Sequence, residues 1–311
     1  MILIDFLLDL VWMILSVLYY IGESLVLFLV PTAFRKKSIE GELVLITGAG
    51  SGIGRLQAIK FAAVGCDVVL WDINTKGIEE TAKLVRKTGR KAWYYVCDVS
   101  KRETVYEVAA KVKREAGMVT ILVNNAGIIA GQKFINLTDD AIQRTMEVNA
   151  LAHAWTLKAF LPDMMKKDHG HIVTIASIMG ELSAAGMSEY CMSKFAAVGL
   201  HESVLRETRA AGKTGIHFTL VNPYMINTGM FAGTKIRYEM IVPTLEPEYV
   251  AGKVVEAVQT QTALVRTPVL LHLMVLLKDL LPQKAIFSME DFFETAKAMD
   301  NFVGRRHINN S

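Results

Sequence analysis

A glycine-rich turn between an apolar run and a helical pattern constrains the fold of this chain more than any other feature. The segment GELVLITGAGSGIGRLQAIKFAAVG predicts a buried strand at about Leu43 to Thr47, a tight turn, and a helix that starts near Ile53. Gly48, Gly52 and Gly54 let the backbone turn sharply and approach a pyrophosphate, whose charge a helix N-terminus favours. The order T-G-x-x-x-G-x-G departs from the G-x-G-x-x-G fingerprint, so the turn alone is weak evidence for nucleotide binding.

An acidic residue ends the next predicted strand, DVVLWD. Asp72 follows Gly54 by eighteen residues, near the ~20-residue interval at which a carboxylate meets the ribose hydroxyls of a dinucleotide. A carboxylate there would repel a 2′-phosphate, so the pattern favours NAD over NADP as the cofactor. The alternative interpretation makes Asp72 a turn residue before Asn74.

A tyrosine, a lysine and a serine form a candidate proton-transfer site. Tyr190 and Lys194 in YCMSK share a helix face, so the lysine ammonium would lower the pKa of the phenol from its usual ~10. Ser177 lies thirteen residues upstream at the end of HIVTIAS, where its hydroxyl would hydrogen-bond a substrate oxygen. Together they suit acid-base chemistry on an alcohol or carbonyl. A solvated helix pair is the alternative interpretation of Tyr190 and Lys194 alone.

The chain contains a second tyrosine and lysine at the same interval. Tyr249 and Lys253 lie in YVAGK, but the residue thirteen before Tyr249 is Ile236. Because no serine accompanies this pair, we expect an ordinary helix face there.

These motifs resemble those of the short-chain dehydrogenase/reductase family over residues 39–261. TGAGSGIG corresponds to its cofactor loop, and NNAG, at residues 124–127, corresponds to the segment after its fourth strand. Four polar residues correspond to its catalytic tetrad: Asn149, Ser177, Tyr190 and Lys194. Tyr224 departs from the family, in which many members have glycine after the proline.

The resemblance implies roles for further residues. In that family Asp98 approaches the adenine, and Thr228 approaches the nicotinamide amide. Asn149 holds a helix distortion and a water that passes protons to the lysine, which also holds the ribose. The expected cofactor-binding residues are Gly48, Ser51, Gly52, Ile53, Gly54, Asp72, Asp98, Asn125, Tyr190, Lys194 and Thr228.

Composition limits the other possibilities. A chain of 311 residues with alternating strand and helix patterns predicts one α/β domain with appendages. The net charge of +3 is too small to suggest a nucleic-acid partner. The three cysteines, Cys66, Cys97 and Cys191, lack metal-ligand spacing and fit reduced thiols, so we expect no metal.

The first 30 residues are nearly all apolar, but Asp5, Asp9 and Glu23 interrupt them. Acidic residues precede and the basic residues 35–37 follow, which is the reverse of a secretory signal, so we expect the segment to be retained. Its polar residues share a sector of about 100° on one helical face, which suits an interfacial or hairpin anchor. The alternatives are a tilted membrane span or a helix buried at a dimer interface.

The C-terminal run PVLLHLMVLLKDLLP, residues 268–282, is too short to span a membrane. It fits a helix packed over the core, a second membrane contact, or a lipophilic wall of the substrate site. Residues 230–243, which follow Thr228, correspond to the mobile lid of the family. The run AMDNFVG, residues 298–304, resembles the epidermal retinol dehydrogenases.

The expected fold is a Rossmann-type doubly wound parallel sheet with an N-terminal anchor helix. We divide the chain into an anchor at residues 1–30, a basic linker at 31–38, a catalytic domain at 39–267, and an apolar helix and tail at 268–311. The closest resemblance is to the membrane and lipid-droplet subgroup of epidermal retinol dehydrogenases and lipid-droplet 17-beta-hydroxysteroid dehydrogenases.

That resemblance implies NAD-dependent oxidation of a lipophilic alcohol, a retinol or hydroxysteroid, by a homodimer. The implied location is the endoplasmic reticulum membrane or a lipid droplet, with the catalytic domain in the cytosol. The alternative is a lipid-droplet scaffold or coat protein that keeps the dehydrogenase fold without physiological turnover.

Overall fold

The computed structural model describes residues 2–304 and divides the chain into two units, Met1–Ser38 and Ile39–Ser311. The second unit contains a seven-stranded sheet. Its strands are β1 (Leu43–Thr47), β2 (Asp67–Asp72), β3 (Ala92–Val96), β4 (Ile121–Asn124), β5 (Gly170–Ile175), β6 (Ile216–Pro223) and β7 (Leu264–Thr267).

Helices alternate with these strands along most of the chain. The first unit contains α1 (Ile2–Leu29) and α2 (Thr32–Arg35). The second unit contains α3 (Gly52–Ala63), α4 (Thr75–Arg86), α5 (Arg102–Glu115), α6 (Asp139–Met146), α7 (Ala152–Lys167), α8 (Ser188–Ala210), α9 (Pro247–Thr260), α10 (Leu270–Leu280) and α11 (Gln283–Phe293). A π-helical turn, Glu147–Leu151, joins α6 to α7.

The sheet is parallel throughout, with the strand order β3-β2-β1-β4-β5-β6-β7. Chain order reverses between β1 and β4, which is the switch point at which parallel α/β sheets bind ligands beyond the carboxyl ends of their strands. This arrangement confirms the predicted doubly wound fold. It also places the turn after β1 beside the segment after β4.

Two hydrophobic cores lie on opposite faces of the sheet. On one face, Val44 and Ile46 of β1 pack in a cluster with Phe61 of α3, and α4 and α9 join the same cluster. On the other face, Leu45 packs in a cluster with Phe160 of α7, and α5 joins it. All five residues of β1 are buried because both faces of the strand are covered, which explains its continuous apolar run.

The predicted elements around the glycine turn agree with the observed ones. The strand expected at about Leu43 to Thr47 is β1, and the helix expected near Ile53 begins at Gly52. The run DVVLWD is β2. The strand in HIVTIAS ends at Ile175, so Ser177 lies just beyond β5 at the carboxyl edge of the sheet.

The first unit consists mainly of the uninterrupted helix α1. Its large apolar side chains are exposed, and Leu3–Leu29 is long and apolar enough to cross a membrane by length and composition. An uninterrupted helix from Ile2 to Leu29 does not fit a hairpin within this segment. Within the unit, the Arg35 guanidinium donates to the carbonyl oxygen of Leu27 at 3.4 Å.

Candidate active site

The turn after β1 packs so closely against the segment after β4 that two of its positions leave no space for a side chain. Gly48 has a φ of 67°, and a Cβ there would come 2.9 Å from the Cα of Ala126. A Cβ on Gly54 would overlap the carbonyl oxygen of Gly48 and come 2.7 Å from Nδ2 of Asn125. The N-terminus of α3 therefore packs closely beneath the turn, and its backbone amides face the carboxyl edge of the sheet.

Asn125 joins the segment after β4 to this turn. Its side-chain nitrogen donates to the carbonyl oxygens of Thr47 at 2.8 Å and Gly48 at 3.3 Å. The Thr47 hydroxyl oxygen accepts from the backbone amides of Asn125 and Ala126 at 2.9 and 3.0 Å. Thr47 is thus a supporting residue that the sequence analysis did not identify, although it immediately precedes the glycine turn.

Asp72 lies at the carboxyl end of β2, beside the glycine turn. One carboxylate oxygen accepts from the backbone amide of Gly50 at 2.8 Å, and the other accepts from that of Asn74 at 2.9 Å. The second bond is the turn contact of the alternative interpretation, and the first ties the carboxylate to the glycine turn. The turn contact is therefore observed, and binding of the ribose by the same carboxylate stays a prediction.

Asp98 lies at the far end of the site with Ser100 and Arg144. Its Oδ1 accepts from the Ser100 hydroxyl at 2.7 Å, and the Arg144 guanidinium lies 3.2 Å from both carboxylate oxygens. Burial acts to raise the pKa of Asp98, but the hydrogen bonds from Ser100 and the charge of Arg144 outweigh it and lower the pKa. The carboxylate is therefore charged at neutral pH.

Helix α8 brings Tyr190 and Lys194 to the residue that follows β5. Ser177 hydrogen-bonds Tyr190, and its Oγ also accepts from the backbone amide of Met179 at 3.1 Å. The Lys194 ammonium donates to the carbonyl oxygen of Ile175 at 3.0 Å and lies 5.5 Å from the centre of the Tyr190 ring. Tyr190, Ser177 and Lys194 are all buried.

The pKa of Tyr190 is shifted upwards, whereas the sequence analysis predicted a downward shift. Burial raises the pKa of Tyr190 above its ordinary value of 10, and the hydrogen bond with Ser177 opposes that rise without reversing it. Burial lowers the pKa of Lys194 to about 8. The Lys194 ammonium therefore loses its proton more readily than it would in water, and it donates to the carbonyl oxygen of Ile175. Desolvation dominates because α8 is covered at this position.

Asn149 lies in the π-helical turn, where the resemblance implied a helix distortion. Its side chain forms two hydrogen bonds with the backbone of Ile128, both at 2.8 Å. The side-chain nitrogen also donates to the Ser193 hydroxyl at 3.0 Å. Gly127 lies between Asn149 and Lys194, since a Cβ there would be 3.6 Å from Oδ1 of one and Nζ of the other.

A cavity of about 710 Å³ runs from the glycine turn to Tyr190. Gly52 and Asn149 lie outside its wall: Gly52 begins α3 with a φ of 54°, and Asn149 is fully buried. The other expected site residues line it, namely Gly48, Ser51, Ile53, Gly54, Asp72, Asp98, Asn125, Ser177, Tyr190, Lys194 and Thr228.

The outer wall of the cavity is largely apolar. Met230 and Phe231 of the lid (residues 230–243) line it, as do Leu271 and Met274 of α10. Leu271 alone is fully buried in α10, so this helix forms a wall of the cavity rather than packing along its length over the sheet. Tyr224, the departure from the family pattern, also lines the cavity.

The second tyrosine and lysine pair lies elsewhere. Tyr249 and Lys253 are on α9, outside the cavity wall, and Lys253 pairs with Glu256 at 3.2 Å. This arrangement agrees with the expected ordinary helix face.

Two further residues support the site and were not identified from the sequence. Ser193 accepts from Asn149 and donates to the carbonyl oxygen of Tyr190 at 2.7 Å. Glu189 is buried, and its Oε1 accepts from the amides of Ala130 and Gly131 at 3.0 and 3.1 Å. Their positions inside and beside YCMSK were the available signal, because each is the chain neighbour of a residue of the candidate site.

Comparisons with known proteins agree with this geometry. The family model described as short chain dehydrogenase matches residues 42–238. Epidermal retinol dehydrogenase 2 of Homo sapiens is 45% identical over 290 residues, which cover 93% of each chain. Retinol dehydrogenase 10-B of Danio rerio is 44% identical over 294 residues, which cover 88% of each chain.

Solved structures show the same fold. A short chain dehydrogenase/reductase from Burkholderia phymatum in complex with NAD superposes with a TM-score of 0.71 at 26% identity, covering 81% of this chain and 96% of that one. An alcohol dehydrogenase from Thermococcus sibiricus complexed with 5-hydroxy-NADP superposes with a TM-score of 0.65 at 26% identity, covering 73% and 95%.

Proposed function

Because this chain belongs to the short-chain dehydrogenase family, we propose that it uses a nicotinamide dinucleotide to oxidise a lipophilic alcohol, with retinol the first candidate and a hydroxysteroid the second. The observation that carries the proposal is one cavity that joins a glycine turn to a buried Ser-Tyr-Lys group and has an apolar outer wall. The high identity to two retinol dehydrogenases supports the choice of alcohol.

The residues of the turn fit a dinucleotide. Gly48 and Gly54 line the cavity and let the turn pack against the segment after β4, and the buried Oδ1 of Asn125 has no hydrogen-bond partner among residues 2–304. Asp72 and Asp98 would hold the ribose and the adenine, and Thr228 would hold the nicotinamide amide. When bound, the nicotinamide supplies the acceptor for the hydride that leaves the carbinol carbon.

Tyr190 takes the proton from the alcohol oxygen in this proposal. Ser177 hydrogen-bonds the same oxygen and holds it beside the phenol. Lys194 contributes positive charge near Tyr190 and holds the ribose, while burial leaves its pKa at about 8. Asn149 supports the proton path behind Lys194, and Gly127 leaves space between the two side chains.

We propose NAD rather than NADP because of Asp72. Its carboxylate already bonds the glycine turn through Gly50 and would repel a 2′-phosphate placed against the same edge. Arg55, the guanidinium that immediately follows the turn, donates to the Gly50 carbonyl oxygen at 2.7 Å and pairs with Glu80 at 2.8 Å. Because these contacts already occupy the Arg55 guanidinium, we do not assign it to binding a 2′-phosphate.

We further propose that residues 1–30 attach the protein to the endoplasmic reticulum membrane or a lipid droplet, followed by a basic linker at 31–38. The exposed apolar side chains of α1 and the acidic residues Asp5, Asp9 and Glu23 support an interfacial position. The catalytic domain, residues 39–267, and the apolar tail, 268–311, would face the cytosol and act as a homodimer.

A panel of alcohols tests the activity. Detergent-solubilised protein is offered retinols and hydroxysteroids with NAD or NADP, and the fluorescence of the reduced cofactor is followed. Retinol oxidation that is faster with NAD is the expected result. Lack of turnover with every alcohol, despite cofactor binding, would favour the scaffold alternative.

A further inference from the structure

The C-terminal strap (residues 298–304) is hydrogen-bonded to the lid through its backbone. The amide of Lys235 donates to the carbonyl oxygen of Ala298 at 3.0 Å. The amides of Val303 and Gly304 donate to the carbonyl oxygen of Ala232 at 2.8 and 3.2 Å. These bonds join two segments that lie more than 60 residues apart in the chain. The strap therefore holds the lid at Ala232 and at Lys235.

Three glycines accommodate the strap by close contact. A Cβ on Gly131 would overlap the ring of Phe302, and one on Gly233 would overlap the carbonyl oxygen of Asn301. A Cβ on Gly186 would come 2.8 Å from the Cβ of Met299. All three glycines have positive φ values, of 68°, 87° and 76°, so the chain turns away at each contact and leaves space for the strap.

The strap also reaches the catalytic end of the cavity. Met299 is buried in one hydrophobic cluster with Met187, Tyr190 and Cys191, and it lines the cavity. The Thr234 hydroxyl of the lid donates to its sulfur at 3.5 Å. The lid residue Phe231 packs edge-on against the ring of Tyr190, with centroids 5.9 Å apart.

A buried carboxylate connects the strap to the catalytic helix. Glu189, the neighbour of Tyr190, holds the amides of Ala130 and Gly131, and Phe302 packs on Gly131. Two residues after Gly131, the Lys133 ammonium pairs with the carboxylate of Asp300 in the strap at 3.3 Å. The strap therefore touches the segment after β4, the lid and α8, the three parts that surround Tyr190.

We propose that the C-terminal strap is a specificity-determining wall of the alcohol site, with Met299 in contact with the substrate near its carbinol carbon. The strap closes the lid against α8, and the Met299 side chain limits the width of the cavity beside Tyr190. This proposal rests on the proposed alcohol oxidation and adds the part of the chain that selects the alcohol. A narrow space beside Tyr190 favours a primary alcohol at the end of a chain, such as retinol, over a secondary alcohol on a ring.

The first test changes the width of the site. Met299→Ala should shift the ratio of kcat/KM for retinol to that for a 17-beta-hydroxysteroid by about tenfold or more towards the steroid. The ratio within one variant does not depend on the fraction of folded enzyme. Met165→Ala is the control, because Met165 is partly buried against the sheet and lies outside the cavity wall. An unchanged ratio in Met299→Ala overturns the proposal.

The second test separates the strap from the lid. Gly233→Ala places a Cβ against Asn301 and should weaken the contact between the strap and the lid. The rate of amide hydrogen exchange in residues 228–243 and 298–304 should then rise by about tenfold or more, because local opening becomes easier. Gly89→Ala is the matched control, because Gly89 has a φ of 84° and nothing within 4 Å of its added Cβ. Equal exchange in both variants overturns the proposal.

The two tests distinguish this proposal from the proposed function. If the unmodified protein oxidises none of the alcohols, the proposed activity fails, and the hydrogen-exchange comparison alone decides whether the strap closes the lid. If the unmodified protein is active and either variant behaves like its control, the activity stands and the proposed role of the strap is refuted.

Discussion

The side-chain nitrogen of Asn149 donates to the hydroxyl oxygen of Ser193 at 3.0 Å, and this bond connects the π-helical turn to the helix that carries Tyr190. Ser193 in turn donates to the carbonyl oxygen of Tyr190. Because Asn149 and Ser193 are both fully buried, neither can exchange this bond for one with water. The position of Tyr190 therefore depends on a residue in a different helix.

Ser193→Ala should lower kcat for alcohol oxidation more than it raises KM for the cofactor. It leaves the Asn149 amide with one fewer partner, at a cost of about 1 to 3 kcal/mol in unfolding free energy. Asn149→Ala should show the same pattern with a larger fall in kcat. Steady-state kinetics and denaturant unfolding measure both effects. A variant that unfolds more readily than the unmodified protein but keeps full kcat would show that the bond is only structural.

Tyr190→Phe should abolish turnover while cofactor binding persists, because only the ionisable oxygen is removed. Losing the proton acceptor costs about 10²-fold or more in rate. Tyr249→Phe is the control and should retain activity. Turnover is followed by cofactor fluorescence, and cofactor binding by quenching of protein fluorescence. Loss of activity in the Tyr249 variant with retention in the Tyr190 variant would identify the wrong pair as catalytic.

Asp72→Ser should weaken NAD and relieve the repulsion of NADP, changing the ratio of their kcat/KM values by about tenfold or more, equivalent to ~1.4 kcal/mol. Asp67→Ser is the control at the opposite end of β2, where the carboxylate pairs with Arg90 at 2.9 Å. A ratio that is the same in the unmodified protein and in the Asp72 variant would remove Asp72 from the cofactor site.

Three buried histidines predict a loss of stability in mild acid. Burial lowers the pKa of His153 and His171 to about 3 and that of His201 to about 4. The unfolded chain binds these protons near pH ~6.5 and the folded protein does not, so the unfolding free energy falls as the pH drops from about 6.5 towards 4. Denaturant unfolding across this range checks the prediction.

A single substitution sharpens the acid test. Neither ring nitrogen of His153 has a hydrogen-bond partner among the described residues, so His153→Leu removes a buried titratable group without breaking a protein bond there. The dependence of unfolding free energy on pH should become shallower. The exposed His272 is the control, and His272→Leu should leave the slope unchanged. A steep slope that survives in the His153 variant would contradict the assignment.

Deleting residues 1–30 should move the protein from membranes towards the soluble fraction. Each buried methylene contributes about 0.8 kcal/mol to partition into lipid, so several leucine side chains suffice for attachment. The truncated protein should still bind NAD, because the glycine turn belongs to the other unit. Membrane fractionation and a cofactor-binding assay measure the two outcomes. A truncated protein that stays with membranes would place the attachment elsewhere.

A triple substitution tests how α1 meets the lipid. Changing Asp5, Asp9 and Glu23 to leucine removes the polar face and should favour a spanning state. Protease protection of an N-terminal tag in intact microsomes reports the orientation. A tag that is already protected in the unmodified protein would show that α1 spans the membrane.

Local sequence patterns determined the sheet and its nucleotide-binding edge. β1, the start of α3, and β2 agree with expectation because continuous apolar runs and a glycine turn are properties of neighbouring residues. Strand ends then place Asp72 and Ser177 at one edge, since parallel strands end on the same side. The resemblance to a known family supplied the remaining site residues, and all but Gly52 and Asn149 line one cavity.

Only the tertiary structure decided how that site is supported and closed. The strap residue Phe302 packs on Gly131, 171 positions earlier, and no local pattern relates the two. The pKa of Tyr190 rises because burial outweighs the hydrogen bond with Ser177, whereas helical spacing alone predicted a lowered pKa. Desolvation and long-range packing depend on which surfaces meet in the folded chain, and residue spacing along one helix carries no information about them.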